Sequence, residues 1–298
     1  MDNRRGIFLM VAAMLAFALE DMFIKIMASD LGVGQILASL GIMGGVVYGI
    51  ICKVQGLPLL ARALWRGPVL LRNIGEIIGT SGFLLAVTLS NLSTATAIFQ
   101  ATPLTVTLGA ALFLGHAVGW RRWLAILMGF FGVMLIIRPG TAHFDPTSLF
   151  AVQAVLGLTV RDLATRVCPP EVKTMQMSTY GFLSVVPAGL VLMWLQGRAD
   201  PVDVTLGGQL IAATFMGALG YYMLVEATRA GDVSVITPFR YSRLLFALAI
   251  GFIVFHERPD ALTLIGAAVI IGSGVYAFAR ERQAKQRAAR LAAKAPKT

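Results

Sequence analysis

Charge is scarce in this sequence. Asp, Glu, Lys and Arg supply 13% of its 298 residues, about half the share usual in globular proteins. Apolar residues take up 57% and mean hydropathy reaches +0.77. Together these exclude an ordinary water-soluble domain. Cysteine is nearly absent: Cys52 and Cys168 lie far apart, near the ends of apolar segments. They read as two free thiols, and no Cys/His cluster has the spacing of a metal site. Histidine is as rare. His116, His143 and His256 fall in expected loops, and no Ser/His/carboxylate set lies within one helix's reach, which disfavours an intramembrane enzyme. A GxxxxGK[ST] phosphate loop is missing, so ATP does not drive this chain directly. No cofactor and no metal are expected.

What remains is a chain of long apolar runs. A spanning helix needs about 20 mostly apolar residues. The runs predict ten spans at 6–28, 32–53, 69–90, 93–115, 121–138, 147–167, 176–196, 206–228, 233–255 and 260–279. The fold class is therefore an all-α integral membrane protein. The first run follows Arg4 and Arg5 but holds Glu20, Asp21 and Lys25 and lacks a small-residue cleavage site. It is expected to be the first span, not a signal peptide. The net charge of +10 does not point to nucleic acid, because the basic residues sit in short loops and the tail, where topology places them. If the N-terminus is cytoplasmic, 17 Lys and Arg fall on the cytoplasmic side and 3 (Arg138, Arg198, Arg258) opposite. Both termini are accordingly expected in the cytoplasm of a bacterial inner membrane.

Residues 86–139 resemble residues 227–280 at an offset of about 141. Ala86 falls on Ala227, Ser93 on Ser234, Thr96 on Thr237 and His116 on Glu257. Each stretch is a proline-containing apolar segment, a short polar hinge, then a second apolar segment. Five spans per half is an odd number, so the halves are expected to be inverted, forming a 5+5 repeat around a central cavity. The divisions are 1–140, 141–280 and a basic tail, 281–298.

Ten charged residues fall inside the expected spans: Glu20, Asp21, Lys25, Arg72, Glu76, Arg161, Asp162, Glu226, Arg240 and Arg243. Each is costly against lipid, so a wet cavity, an ion pair or a place at the membrane edge is expected. Arg72 and Glu76 stand i, i+4 and can pair on one helix face. Arg161 and Asp162 are adjacent and point apart, so each is expected to find a partner elsewhere. Gly41, Gly45 and Gly49, and Gly75 and Gly79, place small residues on single faces for close packing. Pro103, Pro187 and Pro238 each remove a helical hydrogen bond and are candidate hinges, with static bends as the plainer alternative. Trp65, Trp120 and Trp194 fit an interfacial belt. Tyr221, Tyr222 and Tyr241 lie deeper, and their hydroxyls need partners.

The paired hinge segments carry a resemblance. Val254-Phe255-His256-Glu257-Arg258, followed by Leu264-Ile265-Gly266-Ala267-Ala268-Val269-Ile270, and the earlier Phe113-Leu114-Gly115-His116, are similar to the EamA type of the drug/metabolite transporter superfamily, the group with YddG-like amino-acid exporters. His116 departs from the glutamate usual there. The resemblance implies a cavity lined by helices 1, 3, 4, 6, 8 and 9. The odd polar residues fall on those helices: Glu20, Arg72, Asn73, Glu76, Gln100, Arg161, Tyr221, Tyr222, Arg240, Tyr241 and Arg243. These are the expected substrate-binding residues. The expected function is a secondary transporter working by alternating access, exporting amino acids. The alternative is a carrier of nucleotide-linked or other anionic metabolites bound by Arg72, Arg161, Arg240 and Arg243. Expected partners are a small-molecule substrate and the lipid bilayer, with the chain a monomer or weak homo-oligomer.

Overall fold

The computed structural model describes residues 2–60, 62–115, 119–230 and 233–294, with backbone alone at 229, 233, 234, 281 and 284–294. His116, aligned above with Glu257, and the last residues of the tail lie outside them. The described residues form twelve α-helices and no strand. They are α1 (Asn3–Met27), α2 (Val33–Val54), α3 (Gly67–Leu89), α4 (Leu92–Phe99), α5 (Thr102–Phe113) and α6 (Trp120–Ile137). The second half has α7 (Ser148–Arg166), α8 (Thr174–Gln196), α9 (Val204–Ala230), α10 (Val233–Ile236), α11 (Ser242–Ile253) and α12 (Ala261–Lys294).

Among the described residues nine helical stretches are long and apolar enough to cross a membrane, α4 and α5 counting as one. The remaining span, α10–α11, is broken into pieces. Both broken spans have local causes. Pro103 sits at the start of α5, where its missing N–H costs nothing, and the hydroxyl of Thr102 donates back to Phe99 O at 2.6 Å. In the ninth span a 3₁₀ turn at Thr237–Tyr241, holding Pro238, separates α10 from α11. At both breaks the backbone stays right-handed, with Gln100, Ala101, Ile236 and Ser242 all in the α region. α8, by contrast, runs unbroken through Pro187.

The two halves repeat in space. At an offset of 141 the start of α2 falls on the start of α8, Leu92 on Val233, and Trp120 on Ala261. Even the hinge turn repeats: Gly115 has φ +65° and the equivalent His256 has φ +52°. The main helix pairs are α1 with α9, α3 with α7, α2 with α8, and α6 with α12. Exchanging the halves turns the α1–α9 pair into the α3–α7 pair and maps each of the other two onto itself. That is the pattern of a two-fold inverted repeat. Loop contacts agree with ten crossings. Gly32 N donates to Asp200 at 3.0 Å and Arg198 to Asp30 O at 2.7 Å. At the other face Asp2 N donates to Ala230 O at 2.8 Å and Tyr180 to Leu59 O at 2.5 Å.

Glycines set the closeness of these seams. A Cβ on Gly189 would lie 2.6 Å from Ala38 N of α2, one on Gly79 2.6 Å from Leu158 of α7, and one on Gly132 2.8 Å from Gly266 O of α12. Gly41 and Gly45 similarly face Val186 and Leu183. Large apolar side chains, including Phe8, Ile50, Phe131, Leu190 and Phe252, are exposed around the outside. In water such a surface would aggregate, and in a bilayer it meets lipid.

Candidate functional site

The buried charges gather on the helices around the two breaks. Arg243, in the first turn of α11, forms a forked pair with Asp21 of α1: Nη2 lies 2.8 Å from both carboxylate oxygens and Nε 3.1 Å from Oδ2. The Asp21 side chain is almost wholly enclosed, at 1% exposure. Three rings close around the guanidinium, Phe17, Phe83 and Phe99, with centroids 5.1–5.3 Å away. This combination of charge pairing and ring faces suits a planar cation in an apolar setting.

A second cluster lies on the α3–α7 seam. Glu76 accepts from Arg72 at 2.9 Å and from Arg161 at 3.3 Å, and Thr80 donates to it at 3.0 Å. Arg72 also donates to the buried Asn73 at 3.0 Å. Arg161 turns back on its own neighbour, Asp162, with bonds of 2.9 and 2.8 Å. Arg161 thus finds the expected partner elsewhere, in Glu76, but for Asp162 the expectation is corrected, since its partner is its own neighbour. The long, flexible arginine stem lets the guanidinium fold over its neighbour, and a carboxylate one residue away is the nearest counter-charge.

Two charges differ from these. Arg240, on the 3₁₀ turn, is exposed and its guanidinium has no ion-pair partner among the described residues. Its backbone carbonyl accepts from Gln100, at the C-terminus of α4, at 3.4 Å, so the two helix breaks touch there. Glu20 of α1 likewise has no ion pair or hydrogen bond among the described residues. It lies against α9 at Gly217. Both feel Arg243 electrostatically, and Arg240 feels Asp162 and Arg161 of α7 as well.

The other expected residues divide. Tyr221 faces inward, its ring centroid 5.4 Å from that of Tyr48 in an edge-to-face arrangement. Tyr222 turns outward at 62% exposure and joins none of the clusters. Tyr241 packs against Gly274 of α12, with its hydroxyl buried and unpartnered. Pro103 and Pro238 sit at the breaks, and Pro187 lies within α8.

The expected binding set leaves out Asp21, Tyr48 and Phe182. Asp21 had a signal, as a carboxylate inside an apolar run, but nothing in the sequence names its arginine. Tyr48 sits on the second span, outside the expected lining, yet it is 3% exposed and stacks on Phe182 at 5.4 Å.

One end of the bundle is closed by polar contacts. Glu257, 7% exposed, accepts from Leu92 N at 2.7 Å, Ser93 N at 3.0 Å and Ser93 Oγ at 2.6 Å. It caps α4 from the α11–α12 loop, where a carboxylate is favoured by the free N–H groups and the helix dipole. Lys25 of α1 pairs with it at 3.2 Å and donates to Ser90 O at 2.5 Å. The hinge at Glu257 thus ties α1, α3 and α4 to the loop, a wider role than closing its own helix pair. Nearby, hydrogen bonds from Arg138, then Thr263, hold the Asp260 carboxyl down at about 2. At Asp200 a hydrogen bond from Arg198 lowers the carboxyl as well.

Known proteins share this architecture. Residues 4–138 and 145–278 each match the EamA-like transporter family. The S-adenosylmethionine uptake transporter of Rickettsia felis is 25% identical, covering 73% of this chain and 74% of that one. The riboflavin transporter of Vibrio cholerae is 30% identical over 66% of this chain and 65% of its own length. The pseudopaline exporter of Pseudomonas aeruginosa is 23% identical over 90% and 94%. A solved structure superposes with a TM-score of 0.61 at 16% identity, covering 93% of this chain and 98% of that one, which bears on the fold. These names are transporters of small metabolites, and none of the three is an amino-acid exporter. With both halves matched, the chain belongs to the EamA-like transporter family, as a multi-pass membrane transporter of small metabolites.

Proposed function

We propose that the protein is an alternating-access carrier of small zwitterionic metabolites, amino acids foremost. One observation carries this reading: Arg240 and Glu20, neither with an ion-pair partner among the described residues, both lie within electrostatic reach of a neutral Arg243–Asp21 pair. A cargo with one carboxylate and one cationic nitrogen complements that arrangement, with its carboxylate towards Arg240. The touching helix breaks support the site's place, because interrupted helices free backbone groups for a ligand near the midplane. A polyanionic cargo is less well served, since Arg72, Arg161 and Arg243 are already neutralised by Glu76, Asp162 and Asp21.

The excess of Lys and Arg on the face of both termini supports a cytoplasmic position for that face. The Glu257–Lys25 closure then lies outside, and an outward opening requires it to part. The named relatives include both uptake and export carriers, so our export direction is for experiment to read. Proteoliposomes preloaded with unlabelled amino acid should take up labelled amino acid by counterflow, and Arg240→Gln should cut that uptake about tenfold, the effect of losing one charge-assisted bond. No uptake of any amino acid above empty liposomes would overturn the cargo assignment. Efflux from inverted and right-side-out vesicles reads the direction.

A further inference from the structure

The two-fold relates the helices of the two halves but not their charges. At the offset of 141, Glu20 and Asp21 fall on Arg161 and Asp162, and Gly217 falls on Glu76. On the α3–α7 seam Arg161 meets Glu76 at 3.3 Å. At the matching point of the α1–α9 seam Glu20 meets a glycine. A Cβ on Gly217 would stand 2.5 Å from Glu20 Oε1. So the carboxylate lies directly over bare backbone, and α9 supplies no counter-charge there.

The surroundings of Glu20 are defined. Beside it on α1 is Asp21, which adds negative charge. From α11 comes Arg243, committed to Asp21 by three contacts. From α2 comes Tyr48, within electrostatic reach of Glu20, with a hydroxyl that is buried and unpartnered. From α9, one turn beyond Gly217, comes Tyr221, edge-on to Tyr48. The seam therefore offers one carboxylate with no ion pair or hydrogen bond among the described residues, one unpartnered phenol oxygen and aromatic walls. A charge without a direct partner in an apolar interior is costly, and the ligand that pairs with it is a cation. To satisfy Glu20 and the Tyr48 oxygen together, that cation needs at least two N–H bonds to donate.

We propose that the α1–α9 seam seats the cargo's cationic end, an ammonium or guanidinium donating to Glu20 and Tyr48. The ligand completes the kind of ion pair that the other half makes with its own Arg161. This rests on the zwitterion reading and names its positive group as an N–H cation rather than a methylated onium.

The test is equilibrium binding to purified full-length protein, with agmatine, L-arginine and choline as probes. Agmatine has no carboxylate and isolates the cationic subsite, whereas choline carries charge without N–H on its nitrogen. Wild-type protein is expected to bind agmatine and L-arginine, with choline at least tenfold weaker. Glu20→Gln should weaken agmatine at least tenfold. Gly217→Lys, which places an ammonium over Glu20, should do the same while its melting temperature holds or rises, so a folding defect in one variant does not decide the matter. Choline binding as tightly as agmatine would overturn the N–H class. Absent agmatine binding, or unchanged affinity in both variants, would overturn the subsite. Agmatine binding that behaves as expected alongside no amino-acid counterflow keeps the subsite and sinks the zwitterion reading.

Discussion

The α3–α7 and α1–α9 seams are the same helix pairing met twice, and they handle charge in opposite ways. On the first, Glu76 is gripped by Arg72, Arg161 and Thr80, and the cluster with Asp162 sums to zero. On the second, Glu20 faces Gly217 and has no ion pair or hydrogen bond among the described residues. The backbone symmetry persists because it is set by small-residue packing and helix lengths, which either charge pattern can accommodate. The proposed function uses the symmetry of the scaffold for alternating access and an asymmetric site for an asymmetric cargo. The first seam neutralises its own charges; the second, on the proposed reading, is completed by the cargo.

Variants can break or sharpen this contrast. The largest effect is expected at the pair between the seams. Asp21→Asn strands Arg243 among three rings and should cost about 3 kcal/mol, as removal of one partner of a buried pair does. It is read as a fall in melting temperature that the double variant Asp21→Asn/Arg243→Leu partly recovers. Next come the seam glycines. Gly79→Ala drives a Cβ to within 2.6 Å of Leu158 and 2.8 Å of its backbone nitrogen, and should cost about 1–3 kcal/mol. Gly217→Ala meets only the movable end of Glu20, and should cost less than half as much in the same assay. A smaller loss is expected for Ser93→Ala, which removes one donor to Glu257 and should cost about 1 kcal/mol.

The smallest effect concerns pH, at a contact without a counterpart in the other half. Asp260 is held at about 2 by Arg138 and Thr263, below the usual carboxylate value of about 3.9. Its contribution is present above that usual value and lost as pH falls through about 2. Melting temperatures of wild type and Asp260→Asn should therefore differ at neutral pH and converge between about pH 4 and pH 2, and a gap that persists unchanged at pH 2 would contradict this.

Much of the architecture was legible because a bilayer imposes long apolar runs, and short runs of turn residues separate them. The repeat was legible from a few matches such as Ala86 with Ala227, which helix starts at Leu92 and Val233 then bear out. Partners were not legible. Arg243 and Asp21 are separated by 222 positions, and periodicity does not say which helix lies opposite. The breaks were half visible: Pro103 and Pro238 marked them, but identical chemistry at Pro187 left α8 continuous, because a proline breaks a helix only where packing does not hold its turns in line. Tyr48 was missed since a tyrosine in an apolar run reads equally as lipid-facing. Its stacking on Phe182 comes from the α2–α8 seam, whose closeness depends on glycines at both sides.

The asymmetry of the seams is tested most directly by melting Glu76→Gln and Glu20→Gln side by side in one detergent, without ligand. Glu76→Gln strands Arg72 and leaves Arg161 to Asp162 alone, and should lose about 3 kcal/mol, whereas Glu20→Gln removes a charge with no ion pair or hydrogen bond among the described residues and should leave stability equal or higher. Equal losses in the two variants would mean that Glu20 is already paired within the protein, and would contradict the account.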